Sequence, residues 1–381
     1  MQVTYTRKNK TNTTLLLLIG IFILIFISTL NSTSIPLKPF GLASISFVLV
    51  GSVYMLFFFL VVQQKISKIQ LIIFIAAIPF ISLLFIGLFN NPSSRGLIAL
   101  FQFTTVIGFF LFSSLIKWDE KKVKFARRLT IFLFLFVLPL TADLSLIGAY
   151  VAFALFFILL KRKSLFANLV LSLTSLVIIY LSEARAVFIL LLAAAVTYFF
   201  WNRISKTKFR FILFFTLIMA AIMGFIFIYP NLIYWSNFYT INDFVRTYTG
   251  GNLMSGRNTI WLTLLELINQ KPLLGYGTGV LVGDITEFAL SAHNLYLQTT
   301  IQNGYIGLTF LIILFFVIWL QLFKSKNEYN TRLSAAFFIG ILVYQSFEVV
   351  LTQNKMDTAL MQWLIISVGI SSSIYNVKKQ T

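Results

Sequence analysis

The chain has 381 residues, of which 59% are hydrophobic and only 11% are charged. Soluble domains carry roughly 25% charged residues, so the composition excludes an ordinary water-soluble protein and favours one that buries its apolar surface in lipid. The absence of cysteine excludes disulfides, thiolate metal sites and a thiol nucleophile, and the formal charge of +19 raises the question of where the basic residues lie.

Apolar runs close to the ~20 residues that cross a bilayer predict an all-α integral membrane protein with about twelve transmembrane helices. The predicted spans are 13–30, 41–62, 70–89, 96–116, 129–142, 144–160, 165–181, 186–201, 211–229, 305–323, 333–351 and 358–375. A single helix through 129–160 would be too long for the bilayer, so Asp143 is expected to mark a turn. The first run follows basic residues as in a signal peptide, but no small-residue cleavage site follows, and it is interpreted as a retained span.

The Lys and Arg residues are distributed unevenly between alternate loops. If the N-terminus is cytoplasmic, all but seven of the 30 basic residues lie on the cytoplasmic side, which is the bias that orients membrane proteins. The seven predicted to lie outside are Lys38, Arg95, Arg185, Arg246, Arg257, Lys271 and Lys355. Twelve spans then place both termini in the cytoplasm. Topology and attraction to anionic lipid headgroups explain the positive charge, so no nucleic-acid partner is expected.

One long connection interrupts the series of short loops. It divides a single membrane domain into spans one to nine (1–229), an extracytoplasmic loop (230–304) and spans ten to twelve (305–381). A connection of this length is usually functional or disordered, and this one is too aromatic and too patterned to be disordered. The loop is therefore the first place to look for a site.

Two short helices are predicted within this loop. Ser255 is a suitable N-cap for the first, which ends before Pro272 and the glycine-rich stretch GYGTG. The second is expected to start near Ser291 and to end at Gly304. The glycines are interpreted mainly as turn residues, because they lack the strand–turn–helix context of a dinucleotide site.

His293 is the single histidine of the chain, and the prediction places it with Asn294 in the first turn of the second loop helix. The partial positive charge of a helix N-terminus disfavours imidazolium and keeps the ring neutral. A neutral imidazole can accept a proton from a hydroxyl or hold that hydroxyl by a hydrogen bond. The alternative is a histidine that anchors the loop to a backbone carbonyl, and position alone leaves both interpretations open.

Residues 255–279, SGRNTIWLTLLELINQKPLLGYGTG, and residues 293–308, HNLYLQTTIQNGYIGL, resemble the signature region of the O-antigen ligase and O-antigen polymerase family. The matching residues are Gly256, Arg257, Trp261, Pro272, Leu273, Gly275, Gly277, Gly279, His293, Asn294, Tyr296, Leu297, Gly304, Gly307 and Leu308. SEARAVF at 182–188 and SFE at 346–348 resemble two further segments of the family. The resemblance covers roughly residues 180 to 350, and the first 180 residues match only in hydropathy.

The resemblance implies a multi-pass glycosyltransferase of the bacterial plasma membrane with its active site on the extracytoplasmic face. Its donor would be a polyprenyl-pyrophosphate-linked oligosaccharide and its acceptor a sugar hydroxyl, with inversion at the anomeric carbon. The expected activity is polymerisation of O-antigen, capsular or exopolysaccharide repeat units. The alternative within the family is an O-antigen ligase that transfers glycan to a lipid A-core acceptor. Expected partners are membrane lipids, a chain-length regulator and a flippase, and no metal or other cofactor is expected.

The resemblance also assigns roles to particular residues. His293 would orient or deprotonate the acceptor hydroxyl, with Asn294 and Tyr296 beside it as substrate-binding residues. Arg185 and Arg257 would hold the pyrophosphate, because the planar guanidinium pairs bidentately with phosphate oxygens.

Further candidates at the same face are Arg95 and Arg246, for which a solvated or lipid-anchoring side chain is the alternative. Glu348 is predicted at the outer end of the eleventh span, where a carboxylate in lipid is costly and often functional. It would assist the base or hold sugar hydroxyls, and pairing with an arginine is its alternative. Glu183 departs from the family pattern, because it could pair with Arg185.

A lipid-glycan flippase or another transporter is the main alternative of a different class. Transporters place ionisable groups near the bilayer midplane and show related halves. Here the predicted spans are nearly free of charge, and the distinctive residues collect in one outer loop. This distribution favours an enzyme at the membrane surface.

Overall fold

A computed structural model describes residues 18–23, 25–26, 29, 66–137, 144–160, 165–182, 184–249, 251–254, 256–287 and 291–380. Within these residues the secondary structure is helical and contains no strand. From Lys68 onward the helices are α1 (Lys68–Asn90), α2 (Ser94–Ser113), α3 (Glu120–Val137), α4 (Leu144–Leu160), α5 (Leu165–Leu181), α6 (Arg185–Ile204), α7 (Lys208–Ile228), α8 (Phe238–Thr249), α9 (Arg257–Gln270), α10 (Val282–Ile285), α11 (Leu295–Leu322), α12 (Tyr329–Tyr344) and α13 (Met356–Gln380). Short 3₁₀ segments follow α7 at Tyr229–Tyr234 and α11 at Phe323–Ser325.

Six of the described helices are long and apolar enough to cross a membrane. They are α1, α2, α6, α7 with its 3₁₀ extension, α11 with its own extension, and α13; α4 and α5 contain shorter apolar helical stretches. The chain therefore has the helical architecture expected of an integral membrane protein. The predicted span 41–62 lies outside the described residues, and the count of twelve spans and the cytoplasmic termini stay predictions.

The bundle is built around α13. Most of this helix is buried, and it packs against α2, α4 and α12. By contrast, α1 and α7 expose large apolar side chains such as Phe89 and Phe209. A helix buried on every side belongs to the interior of a membrane bundle, whereas an apolar helix with exposed Phe and Leu is suited to face lipid.

The two ends of the bundle gather different sets of loops. At one end Arg185 donates to the carbonyl of Gly251, which joins the start of α6 to the long loop. At the other end, Trp201 donates to the carbonyl of Lys326 at 2.8 Å, and Tyr375 to that of Leu115 at 2.7 Å. The loops predicted to share one side of the membrane thus meet at one end of the bundle, as the distribution of basic residues requires.

The glycine-rich stretch forms a tight turn packed against α1, α2 and α11. Gly275, Gly277 and Gly279 have φ of 67°, 112° and 86°, in the left-handed region that favours glycine. A Cβ at Gly279 would lie 2.2 Å from the backbone nitrogen of Gly96 in α2. Thr278 lies between these glycines and donates its hydroxyl hydrogen to the carbonyl of Leu84 at 2.8 Å. These contacts favour the interpretation of the glycines as turn residues.

The predicted helix stop at Gly304 appears as a kink inside α11 instead of an end. Gly304 has φ 64° and ψ −173°, and the helix continues beyond it. The amide of Tyr305 donates to the carbonyl of Pro272 at 2.7 Å, so the glycine-rich loop satisfies backbone groups that the kink leaves open. The local signal for a helix break was therefore correct, but tertiary contacts carry the helix through it.

Candidate active site

His293 lies just before α11 rather than in a first helical turn. Asn294 is the N-cap, with its side-chain oxygen accepting from the amide of Leu297 at 3.0 Å, and α11 begins at Leu295. The predicted start near Ser291 is therefore wrong, because the capping side chain that the structure uses is three residues further on. His293 has φ 45°, which is uncommon for a residue other than glycine. It still stands at the N-terminal end of a helix.

Two buried contacts hold the backbone on either side of His293. The indole nitrogen of Trp261, on α9, donates to the carbonyl of Ala292 at 2.9 Å, and this tryptophan is fully buried. The amide of Leu295 donates to the carbonyl of Gln345 at 2.9 Å. Trp261 therefore connects α9, the helix that begins at Arg257, to the backbone beside His293.

Glu348 lies in a loop after α12 and not within the eleventh span, as was predicted. The helix ends at Tyr344, and the following loop folds back against the side chain of Gln345. The Gln345 side-chain oxygen accepts from the amides of Val350 and Leu351, both at 3.1 Å. The apolar sequence suggested a longer helix, but the buried amide of Gln345 competes for these backbone N–H groups.

This loop brings the carboxylate to the histidine. Nδ1 of His293 lies 4.0 Å from Oε2 of Glu348, and their side chains are 39% and 22% exposed. Both groups are thus partly buried and still open to a substrate. The two residues are more than fifty positions apart in the sequence, and their proximity follows from the packing of the Gln345 loop against residues 293–295.

Arg257 is the first residue of α9 and points toward the same region. Its N-cap is Gly256, with φ 75°, whereas the predicted cap Ser255 lies outside the described residues. The guanidinium carbon lies 5.8 Å from the centre of the Phe347 ring, within the range of a cation–π contact. Phe347 directly precedes Glu348, so Arg257 lies next to the loop that carries the carboxylate.

The charges around Arg257 define a compact electrostatic cluster. Burial is the main cause that lowers the pKa of Arg257, and the charge of Arg185 acts in the same direction. The groups that act against this shift are Tyr229, Glu348 and Tyr344. An arginine stays protonated under any such shift, so the cluster retains two adjacent positive charges.

Arg185 begins α6 and reaches into the long loop. Its Nη1 donates to the carbonyls of Gly251 at 3.2 Å and Asn252 at 3.1 Å. The same stretch of loop is held by the hydroxyl of Tyr229, which donates to the carbonyl of Leu253 at 2.9 Å. Arg185 is thereby fixed next to the segment that leads into Arg257. Glu183, the acid expected to compete for Arg185, lies outside the described residues.

The electrostatic environment keeps His293 neutral. Burial lowers its pKa from 6.5 to about 4, and the positive charges of Arg257 and Lys355 add to the shift. Glu348, at 4.0 Å, does not reverse this balance. Lys355 belongs to no motif and was one of the seven basic residues predicted outside. Only its positive charge and its predicted side of the membrane indicated that it could lie near the site.

Asn294 and Tyr296 lie behind the histidine and are fully buried. The Asn294 amide nitrogen donates to the carbonyl of Ser346 at 3.1 Å, and the Tyr296 hydroxyl donates to that of Leu342 at 2.7 Å. These bonds join the start of α11 to the end of α12 and to the loop that carries Glu348. The contacts seen for both residues are structural, and their direct contact with substrate stays a prediction.

Arg95 and Arg246 are placed differently from the other two arginines. Nη2 of Arg95 lies 2.8 Å from Oδ1 of Asp284, in a pair at the start of α2 that is half exposed. Arg246 is exposed on α8. Among the described residues, no group of three or more His, Asp or Glu side chains is arranged to hold a metal ion. The cluster therefore consists of His293, Glu348, Arg185, Arg257 and Lys355.

Two comparisons with known proteins bear on this cluster. A family model described as O-antigen ligase matches residues 170–312, a range that contains Arg185, Arg257 and His293. A ComP-specific O-oligosaccharyltransferase from Acinetobacter baylyi is 27% identical over 207 residues, which is 49% of this chain and 36% of that protein. The chain thus spans little more than a third of the length of the curated relative it matches.

Proposed function

Since both comparisons support the O-antigen ligase family, we propose that this protein transfers a glycan from a polyprenyl pyrophosphate to an acceptor hydroxyl at the outer face of the plasma membrane. We propose further that the acceptor is a sugar of another lipid-linked repeat unit, so that the product is a polysaccharide. The observation that carries the proposal is the convergence of His293, Glu348, Arg257 and Arg185 at one end of the bundle, from four separated segments.

The donor requires cations at its leaving group. A lipid pyrophosphate departs with negative charge on its phosphate oxygens, and guanidinium groups pair bidentately with such oxygens. Arg257 lies at a helix start, whose backbone N–H groups also favour phosphate. Arg185, held by the carbonyls of Gly251 and Asn252, brings a second guanidinium to the same end of the bundle. Two fixed arginines supply the charge that a metal ion provides elsewhere, so the proposed reaction is metal-independent.

The acceptor requires a base. In the proposed step the acceptor oxygen forms a bond to the anomeric carbon, while the bond from that carbon to the pyrophosphate oxygen breaks. The acceptor proton passes to His293, and the lipid pyrophosphate leaves as an anion between the arginines. Attack from the side opposite the leaving group inverts the configuration at the anomeric carbon.

The low pKa of His293 fits this step once the substrate charge is included. The free imidazole is neutral at pH 7 and ready to accept a proton. Bound pyrophosphate introduces negative charge beside the arginines and offsets part of their effect on the ring. Glu348, at 4.0 Å from Nδ1, then stabilises the imidazolium that forms. We therefore propose that Glu348 assists the base His293, and that Asn294 positions the loop that carries Glu348.

Two other acceptors are compatible with the same chemistry. One is a lipid A-core, which would make the protein a ligase. The other is a protein hydroxyl, which is the acceptor that the name of the Acinetobacter relative indicates for that relative. The catalytic cluster does not depend on this choice, because all three acceptors present a hydroxyl. The acceptor must be identified by reaction.

The test is an assay with purified protein in vesicles, given lipid-pyrophosphate-linked repeat unit alone or with a second acceptor. A ladder of lipid-linked oligomers from the repeat unit alone is expected of a polymerase, and product only with a lipid A-core or a protein acceptor would replace that assignment. His293→Ala should remove product in every arm, whereas Lys271→Ala, which removes another basic residue of the same loop, should not. Movement of intact donor across the bilayer without any transfer would establish a transporter and refute the enzyme.

The side of the membrane can be tested separately, because the chain lacks cysteine. Single cysteines introduced at the exposed residue 270 should react with a membrane-impermeant maleimide in intact cells, and those at the exposed residues 121, 206 and 328 should react only after the cells are opened. Protection of residue 270 in intact cells would contradict an outer-face site.

A further inference from the structure

Helix α8 takes no part in the proposed chemistry, yet it exposes an apolar face. Ile241, Phe244 and Tyr248 are 44%, 63% and 65% exposed. At about 100° per residue they fall within roughly 60° of one another around the helix. The rings of Phe244 and Tyr248 lie 4.6 Å apart and form one continuous strip. The charged Asp243 and Arg246 lie on the opposite side together with the exposed ring of Tyr239, so the strip itself carries no charge and is uncovered.

The surface that leads into this helix is apolar and exposed. Phe227 and Ile228 end α7 and are 52% and 54% exposed, within a segment that qualifies as a membrane span. The chain then exposes Tyr234 and Trp235, at 76% and 56%, immediately before α8. Tyrosine and tryptophan are enriched where a span meets the headgroups, because their rings are apolar and their tips are polar. The apolar strip of α8 thus follows a membrane surface and its interfacial aromatic residues.

We propose that α8 is an interfacial helix whose Ile241, Phe244 and Tyr248 face is buried among the lipids of the leaflet next to the active-site end of the bundle. A short amphipathic helix with few charges on its apolar side lies in the plane of the headgroups and buries that side a few ångströms below them. The polar side, with Asp243 and Arg246, then faces water. The partner is a phospholipid surface, and the interaction does not depend on the identity of the glycan.

The position of α8 is transmitted to the loop that holds Arg185. The side-chain oxygen of Asn242 on α8 accepts from the amide of Leu253 at 2.9 Å. The neighbouring carbonyls of Gly251 and Asn252 accept from Arg185. A lipid-bound α8 therefore holds this loop at a set depth relative to the membrane surface.

The absence of native cysteine allows a direct measurement of depth. Phe244→Cys and Tyr248→Cys each carry a nitroxide label in protein reconstituted into phospholipid vesicles, with Phe227→Cys as the lipid-facing reference. Matched controls on the opposite side of the same helix are Asp243→Cys and Arg246→Cys. All five positions are exposed or half exposed, so each variant should fold, which a single symmetric gel-filtration peak in detergent verifies.

The measured quantity is the collision rate of each label with apolar oxygen relative to a water-soluble nickel complex. The proposal expects a ratio at residues 244 and 248 that approaches the value at residue 227 and is several times the value at residues 243 and 246. Equal access to nickel on both sides of α8 would place the helix in water and overturn the proposal. Low access to both reagents at residues 244 and 248 would mean that protein covers the strip. Nickel access that disappears when repeat-unit glycan is added would assign the strip to carbohydrate instead.

Discussion

Gly251 offers a way to displace Arg185 without changing any charge. A Cβ at this position would lie 2.8 Å from Nη2 of Arg185 and 3.1 Å from its Cζ. Both distances are shorter than a normal contact, but the atoms belong to the end of a flexible side chain that can move away. Gly251→Ala should therefore leave thermal stability nearly unchanged and push the guanidinium out of place.

The expected loss of turnover follows from the bonds at stake. A hydrogen bond to a charged group is worth about 1.5–3 kcal/mol, and 1.36 kcal/mol corresponds to a factor of ten in rate. If the displaced Arg185 loses one such bond to the departing pyrophosphate, transfer should slow by about ten- to a hundredfold. The assay is single-turnover transfer from lipid-linked repeat unit by purified protein, at donor concentrations that saturate the wild type.

Gly224→Ala is the matched control, because a Cβ there meets no atom within 4 Å. It should leave turnover unchanged. In an Arg185→Ala background, Gly251→Ala should add little further loss, since the group that it displaces is already gone. Additive losses in that background, or normal turnover by Gly251→Ala beside a severe defect of Arg185→Ala, would refute a role for Arg185 in this position.

Three further outcomes are expected. The acidic limb of the pH profile of kcat/KM should have its midpoint near pH 4, because the free enzyme needs neutral His293. Lys355→Gln should move that midpoint upward, because it removes one of the charges that lower the pKa of His293. A wild-type midpoint near 6.5 would show an unperturbed imidazole. Trp261→Phe leaves the buried carbonyl of Ala292 without its donor, so it should cost about 1–3 kcal/mol of stability and lower kcat more than it changes KM, as a thermal melt and steady-state kinetics would reveal. Gly304→Ala should lower the melting temperature far more than Gly224→Ala does. It forces a left-handed φ of 64° on an L-residue and places a Cβ 1.9 Å from the carbonyl oxygen of Leu273. Equal melting temperatures of the two variants would contradict the kink.

The sequence by itself determined the class of protein and its resemblance to a family. The length of an apolar run is a local property to which the thickness of the bilayer responds directly, which is why α1, α2, α4, α5, α6 and α7 begin and end within three residues of predicted spans. By contrast, α3 begins nine residues before the predicted span 129–142, and the short helices α8 and α10 were not predicted. The motif around Arg257 and His293 resembles that of the O-antigen ligase family, and a model of that family matches residues 170–312. Arg185 was identified in the same way, two spans earlier.

Helix ends were predicted less well wherever a buried polar side chain captured backbone groups. Asn294 caps α11 after the histidine, so the expected first turn around His293 does not form. Gln345 binds two amides of the following loop, so α12 ends before Glu348. Neither backbone contact is evident from the sequence, because each depends on partners that are distant or become adjacent only when the chain bends.

The pairing of groups within the site was decided by tertiary structure alone. Apolar periodicity is nearly lost in helices surrounded by lipid and by one another, so the sequence does not reveal which faces meet. The approach of Glu348 to His293, the contribution of Lys355 and the link from Trp261 to Ala292 all join residues that are far apart in the chain. Burial and the charges of Arg257 and Lys355 lower the pKa of His293, and these causes act only through distances in space.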